Sequence, residues 1–262
     1  MDNGFYTHLK VWFDDYISGF ERLYPQCRAK FDLKREHSHM VARETSVIAE
    51  GSGLEPRDRT LAKVIGLLHD IGRFPQAAHF TTFDDRISID HGALGVSILY
   101  DNNVLARLNP SDQIVVETAV LHHNKHQLPK LENDRCYLFS KLIRDADKLD
   151  IFRVIRDNYN AAADEEESHL PGGTDISEKV LSDVTNKAIV RHVDIRSRID
   201  RVFFWVAWLF DINFATTLRH IIDRGYYDML RSMLPETGNI KKALDTVDIY
   251  LQKRSLNRPP AC

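Results

Sequence analysis

Apolar positions recur every three or four residues along most of the chain, with no run of alternating strand residues, so the pattern predicts an all-α protein. Asp32 reads as the N-cap of a helix running through His37 to about Glu50, stopped by Gly51-Ser52-Gly53. Pro56 opens the next helix, whose apolar face holds Leu61, Val64, Ile65 and Leu68, and Gly72 and Pro75 are expected to close it just after His69-Asp70. Asp90 or Ser88 starts a helix through Leu99. Pro110-Ser111 precedes another, with Ile114, Val115, Thr118, Ala119 and Leu121 on the three-four spacing. A further helix is predicted from about Asp134 to Arg156, with a bend near Asp150.

Residues 161–175 interrupt this pattern with an acidic run followed by Pro-Gly-Gly. They read as a solvated connection, with a mobile lid as the sharper alternative. The expected organisation is therefore a core over residues 1–160, a connecting loop over 161–175, and a helical extension over 176–262 packed on the core. Val202 to Phe210 is the most apolar stretch, but nine helical residues reach only about 14 Å of the roughly 30 Å a bilayer core requires. It reads as a buried core helix, and no membrane association is expected. Acidic residues and a histidine interrupt the apolar N-terminal positions, which argues against a signal peptide there.

Composition narrows the picture only slightly. Hydrophobic residues at 43% and charged residues at 28% are ordinary for a folded globular chain, and a net charge of -3 offers no global field for nucleic acid. The three cysteines, Cys27, Cys136 and Cys262, lie far apart and match no zinc spacing. So sparse and odd a set fits a reducing, cytoplasmic setting better than a disulfide scaffold.

The chemistry is carried by histidine and aspartate. His69-Asp70 ends an apolar helix, and His37, His91, His122 and Asp147 fall on separate predicted helices. Neutral imidazoles and carboxylates suit first-row divalent metals such as iron, manganese, cobalt or zinc. An aspartate can bridge two cations through its two oxygens, which one imidazole nitrogen cannot do, and Asp70 is placed to be that bridge.

The segments EHSHMVARETSVIA, LLHDIGRFPQ, IDHGALGVSIL, AVLHHN and IRDADKLDIFRVI, in that order, resemble the HD-domain superfamily of metal-dependent phosphohydrolases over roughly residues 30–157. The resemblance implies an HD-domain helical bundle in which His37, His69, Asp70 and Asp147 bind one metal. His91 before Gly92, and the His122-His123 pair, match the additional ligands of two-metal members. Of the pair, the family pattern uses the first, so the resemblance assigns His122 to the metal and leaves His123 facing substrate. The HHE and GYP elements of the cyclic-di-nucleotide phosphodiesterase branch are absent: the chain reads His122-His123-Asn124-Lys125-His126-Gln127-Leu128-Pro129. Arg73 replaces the lysine that follows HDIG in many members, and offers a planar fork suited to phosphate or carboxylate.

The implied activity is hydrolysis of a phosphate ester of a nucleotide or other small phosphorylated metabolite, using two divalent metal ions and a metal-bridging hydroxide. Asp70, Arg73, His123 and Lys148 are its expected catalytic residues, with Arg73 and Lys148 neutralising phosphoryl charge. The alternative is a diiron oxygenase acting on a small polyol or phosphonate with the same six ligands. No nucleic-acid partner is expected, and a homo-oligomer is compatible with the sequence. His39 is expected to face away from His37, about 200° around the helix. His79 and His126 are read as loop residues near the site, and Arg153 and Arg156 as candidate phosphate contacts.

Overall fold

The computed structural model describes residues 3–158, 170–172 and 175–256. It is α-helical, with no β-strand among the described residues, and no described helix is long and apolar enough to cross a membrane. Contacts divide the chain into two compact units, residues 1–150 and 151–262. Most of the segment expected to connect two helical parts, 161–175, lies outside the described residues.

The first unit is built on α1 (Asn3–Leu23), α2 (Arg28–Gly51) and α3 (Pro56–Leu68). Phe5, Leu9, Phe13 and Ile17 recur every four residues of α1 and are all buried, so one stripe of the helix faces inward. The helix α3 is buried on nearly every side, as its run of Leu61, Ala62, Val64, Ile65, Leu67 and Leu68 requires. At Gly66 a Cβ would stand 2.7 Å from the Ala42 Cα, so glycine is what lets α3 approach α2 this closely.

The start of α2 corrects the expectation. A 3₁₀ turn, Pro25–Cys27, runs directly into the helix, which begins at Arg28 with no side-chain cap. Asp32 therefore sits inside the helix, exposed and paired with Arg28 and Arg35 at 3.8 and 3.3 Å. Pro75 was also misread. It occupies the first turn of α4 (Arg73–Phe80), where a backbone N–H has no intrahelical acceptor to lose. The proline opens α4 rather than closing α3.

The remaining helices of this unit are α5 (His91–Asp101), α6 (Pro110–His122) and α7 (Asp134–Asn158), the last running on into the second unit without interruption at Asp150. Asp90 caps α5 by accepting from the backbone N–H groups of Gly92 and Ala93, and Asn109 caps α6 through Asp112. The second unit holds α8 (Glu178–Thr185), α9 (Arg198–Ala207), α10 (Ala215–Asp223), α11 (Tyr226–Ser232) and α12 (Gly238–Leu256). Its core includes Phe152, Val180, Phe203, Val206, Leu230 and Val247. The apolar stretch from Val202 is α9 continued by a 3₁₀ turn, Trp208–Asp211, with Phe203 and Leu209 fully buried. It is a core element, as its length predicts.

Candidate metal centre

Five segments of the first unit converge on Asp70. His37 comes from α2, His69 and Asp70 from the turn after α3, His91 from the first position of α5, His123 from the residue after α6, and Asp147 from α7. Gly72 makes the convergence sterically feasible. A Cβ there would lie 2.2 Å from the His91 carbonyl oxygen, so only glycine lets the turn after the doublet pass against the start of α5.

The two oxygens of Asp70 face different partners. Its Oδ2 is 3.6 Å from both His37 Nε2 and His69 Nε2. Its Oδ1 is 3.2 Å from His91 Nε2 and 3.4 Å from His123 Nε2. Two groups able to hold a cation therefore share this one carboxylate: His37, His69 and Asp70, and Asp70, His91 and His123, all buried. Asp147 joins the first, with Oδ1 at 3.1 Å from His37 Nε2 and 3.7 Å from His69 Nε2.

Hydrogen bonding sets the tautomers. His37 Nδ1 donates to Asp150 at 2.7 Å, His69 Nδ1 to the Gly66 carbonyl at 2.9 Å, and His123 Nδ1 to the Val120 carbonyl at 2.7 Å. His91 Nδ1 meets both oxygens of Asp85, at 2.8 and 2.6 Å. With every Nδ1 bound to an acceptor, every Nε2 of a neutral ring presents a lone pair inward. His37 Nε2 and His69 Nε2 are buried with no hydrogen-bond partner. His91 Nε2 and His123 Nε2 lie 2.9 Å apart, a distance at which two lone pairs repel unless a proton or a cation lies between them. Such donors, oriented from behind by carboxylates and carbonyls, fit divalent metal ions.

Electrostatics acts differently on the members of this set. Burial opposes ionisation of Asp70, yet Lys34 and the surrounding imidazoles hold its carboxyl well below the ordinary range. Burial likewise works against Asp147, and the His37 and His69 rings beside it lower it further than burial raises it. Burial pushes His123 down to about 4, so this ring is neutral and available as a donor at physiological pH. Burial and Lys34 pull His37 down, but Asp147 and Asp150 outweigh them and leave its pKa raised.

The structure places the two members of the histidine pair differently from the sequence expectation. His123 stands in the cluster, whereas His122 ends α6 half-buried and outside both groups. The buried stripe of α6 is Asp112, Val115, Val116, Ala119 and Val120, and His123 continues it three and four residues on. His122 lies one step of about 100° away, on the side of the exposed Ile114.

Arg73 is in the site, but its guanidinium is engaged. It donates to Asp85 at 2.9 Å, to Gln76 at 2.7 Å and to the Phe83 carbonyl, with Nε 3.5 Å from Asp70 Oδ1. Lys148 is buried on α7 next to Asp147 in sequence. His39 turns to α1, bonding Asp14 at 3.0 Å with its ring edge-on to Phe13. His79 is not in a loop. It lies in the last turn of α4, exposed and edge-on to Tyr24, while His126 is exposed after α6. Arg153 and Arg156 pair with Asp157 at 3.5 and 2.9 Å.

Several residues of the site were missed, Lys34, Asp85 and Asn124 among them. Lys34 stands one turn before His37 and reaches Asp70 Oδ2 at 2.7 Å; its helical spacing from His37 was the available signal. Asp85 grips His91, Arg73 and Gln76 from an irregular loop, where no periodicity could mark it. Asn124 links Asp85 and Asp90 at 3.0 and 2.8 Å.

Comparison with known families gives one result: the model of the HD domain matches residues 35–151, the span that contains every residue of the cluster. No curated protein and no solved structure matches the chain.

Proposed function

We propose, from the match of residues 35–151 to the HD-domain family, a metal-dependent phosphohydrolase with two divalent ions sharing Asp70. The superfamily consists mostly of metal-dependent phosphohydrolases. The observation that supports two ions is the division of four inward Nε2 atoms between the two oxygens of a single carboxylate. His37, His69, Asp70 and Asp147 would hold the first ion, and Asp70, His91 and His123 the second. When bound, such a pair supplies Lewis-acid stabilisation and lowers the pKa of water towards neutrality.

The chain's own groups do the rest. Asp150 and Asp85 fix the rings of His37 and His91 in the tautomer that points Nε2 inward. Arg73, held by Asp85 and Gln76, keeps a permanent positive charge beside Asp70, where it stabilises an incoming phosphoryl group. The substrate is a small phosphorylated metabolite.

The test is manganese or iron content with phosphate release from a panel of nucleotides and sugar phosphates under strictly anaerobic conditions. Two ions per chain and oxygen-independent release with manganese are expected. One ion per chain would defeat the binuclear claim. Activity that appears only with iron and consumes dioxygen would replace hydrolysis by the oxygenase reading.

A further inference from the structure

In the buried setting of Asp70, its Oδ2 accepts from Lys34 Nζ at 2.7 Å. The same oxygen is the one that faces His37 and His69. A lone pair directed at an ammonium is not offered to a metal, and two cations crowded on one carboxylate oxygen repel strongly at a partly buried site. Lys34 therefore neutralises Asp70, and a metal on this oxygen would have to compete with it.

Where the lysine goes is also marked. Lys30 and Lys34 are one turn apart on α2, and so leave the same face of the helix. Both amines lie against the half-buried ring of Phe83, at 5.9 and 5.4 Å, and the Arg73 guanidinium lies 5.7 Å from the same ring. One aromatic face attracts a cation, but three cations around it repel one another. Asp85 neutralises Arg73 and Asp70 neutralises Lys34, whereas Lys30 makes no ion pair among the described residues. The ring thus gathers positive charge at the edge of the cluster, and releasing Lys34 from Asp70 adds to it.

We infer that Lys34 is a counter-cation exchanged for metal on loading, and that its released ammonium joins Lys30 over Phe83 to bind a negatively charged group of the substrate. This rests on the two-metal reading and extends it: metal loading builds an anion subsite beside the metals. A substrate carrying a second anionic group beyond the scissile phosphate uses both.

Calorimetric titration tests the exchange directly, with manganese as the first probe and inorganic phosphate, added to the manganese-loaded protein, as the second. Lys34→Met keeps the apolar stem and removes the charge. It should bind manganese about tenfold more tightly or better, and phosphate about tenfold more weakly. Opposite signs from one substitution are not what a merely structural lysine gives. Lys34→Gln, which retains a donor to Asp70, should move both affinities the same way and serves if the methionine variant does not fold. Lys30→Met should weaken phosphate and leave manganese unchanged. A folded Lys34 variant with unchanged or weaker manganese affinity overturns the exchange. Phosphate affinity unmoved in both Lys30→Met and Lys34→Met overturns the subsite. If the parent protein takes up no manganese, the metal reading itself fails and this one falls with it.

Discussion

Asp70 shows how much can depend on the symmetry of one side chain. Its two oxygens are chemically equal, and the fold uses each for a different pair of histidines. Asp70→Asn keeps the shape but makes the two ends unlike, because an amide has one acceptor atom and one donor nitrogen. Lys34 can only donate, so it selects the orientation with the amide oxygen on its own side. The nitrogen then faces His91 and His123, and the second group loses its shared ligand. Metal analysis of Asp70→Asn should give about one ion per chain, with the His37 and His69 side occupied. The histidine pair offers a companion measurement: His123→Ala should lose the second ion, and His122→Ala should keep both. Loss of metal only in His122→Ala would mean that the imidazoles exchange places on loading. At this scale the sequence exposed His37, His69, Asp70, His91 and Asp147, because motif spacing marks them. It could not expose Asp85, whose position in a loop depends on the turn chemistry of its neighbours.

At the scale of elements, the helices were legible and their phases were not always so. The apolar face expected for α6 included Ile114, which is 53% exposed, one step out of phase with the buried stripe. The polar member of the true stripe is Asp112, buried at the first turn of α6. There it accepts from Arg57 at 2.8 Å, Arg135 at 2.6 Å and Asn109 at 2.9 Å. A buried carboxylate breaks a hydrophobic pattern, so periodicity alone passes over it. Burial opposes its ionisation, but Arg135 and Arg57 outweigh burial and lower its pKa. A pKa lowered by folding stabilises the native state above the unfolded carboxyl value near 4, and the contribution disappears as pH falls through the lower, folded value. Asp112→Asn should therefore melt several degrees below the parent protein at pH 7, and the gap should narrow below about pH 4. Thermal unfolding at pH 7, 5 and 3 measures it, and a gap that stays constant would contradict the ion-pair account.

At the scale of the molecule, α7 belongs to both compact units. Asp147 and Asp150 lie in its first-unit part, Asp150 bonded to His37 Nδ1 and Asp147 3.1 Å from His37 Nε2, and the helix continues from Ile151 to Asn158 in the second. The sequence showed a long helix here, but nothing in its pattern showed that a boundary between units falls inside it. The consequence concerns local opening rather than chemistry. The last turn of any helix frays, because its final carbonyls lack intrahelical donors. Were residues 151–158 to unwind, Asp147 and Asp150 would become that last turn and lose their aim. Metal bound through Asp147 must then oppose unwinding of a segment that contributes no ligand, by the linkage that stabilises any state a ligand prefers. Hydrogen–deuterium exchange should therefore slow by about tenfold or more at the amides of residues 151–156 when manganese is added, a protection that chelation with EDTA reverses.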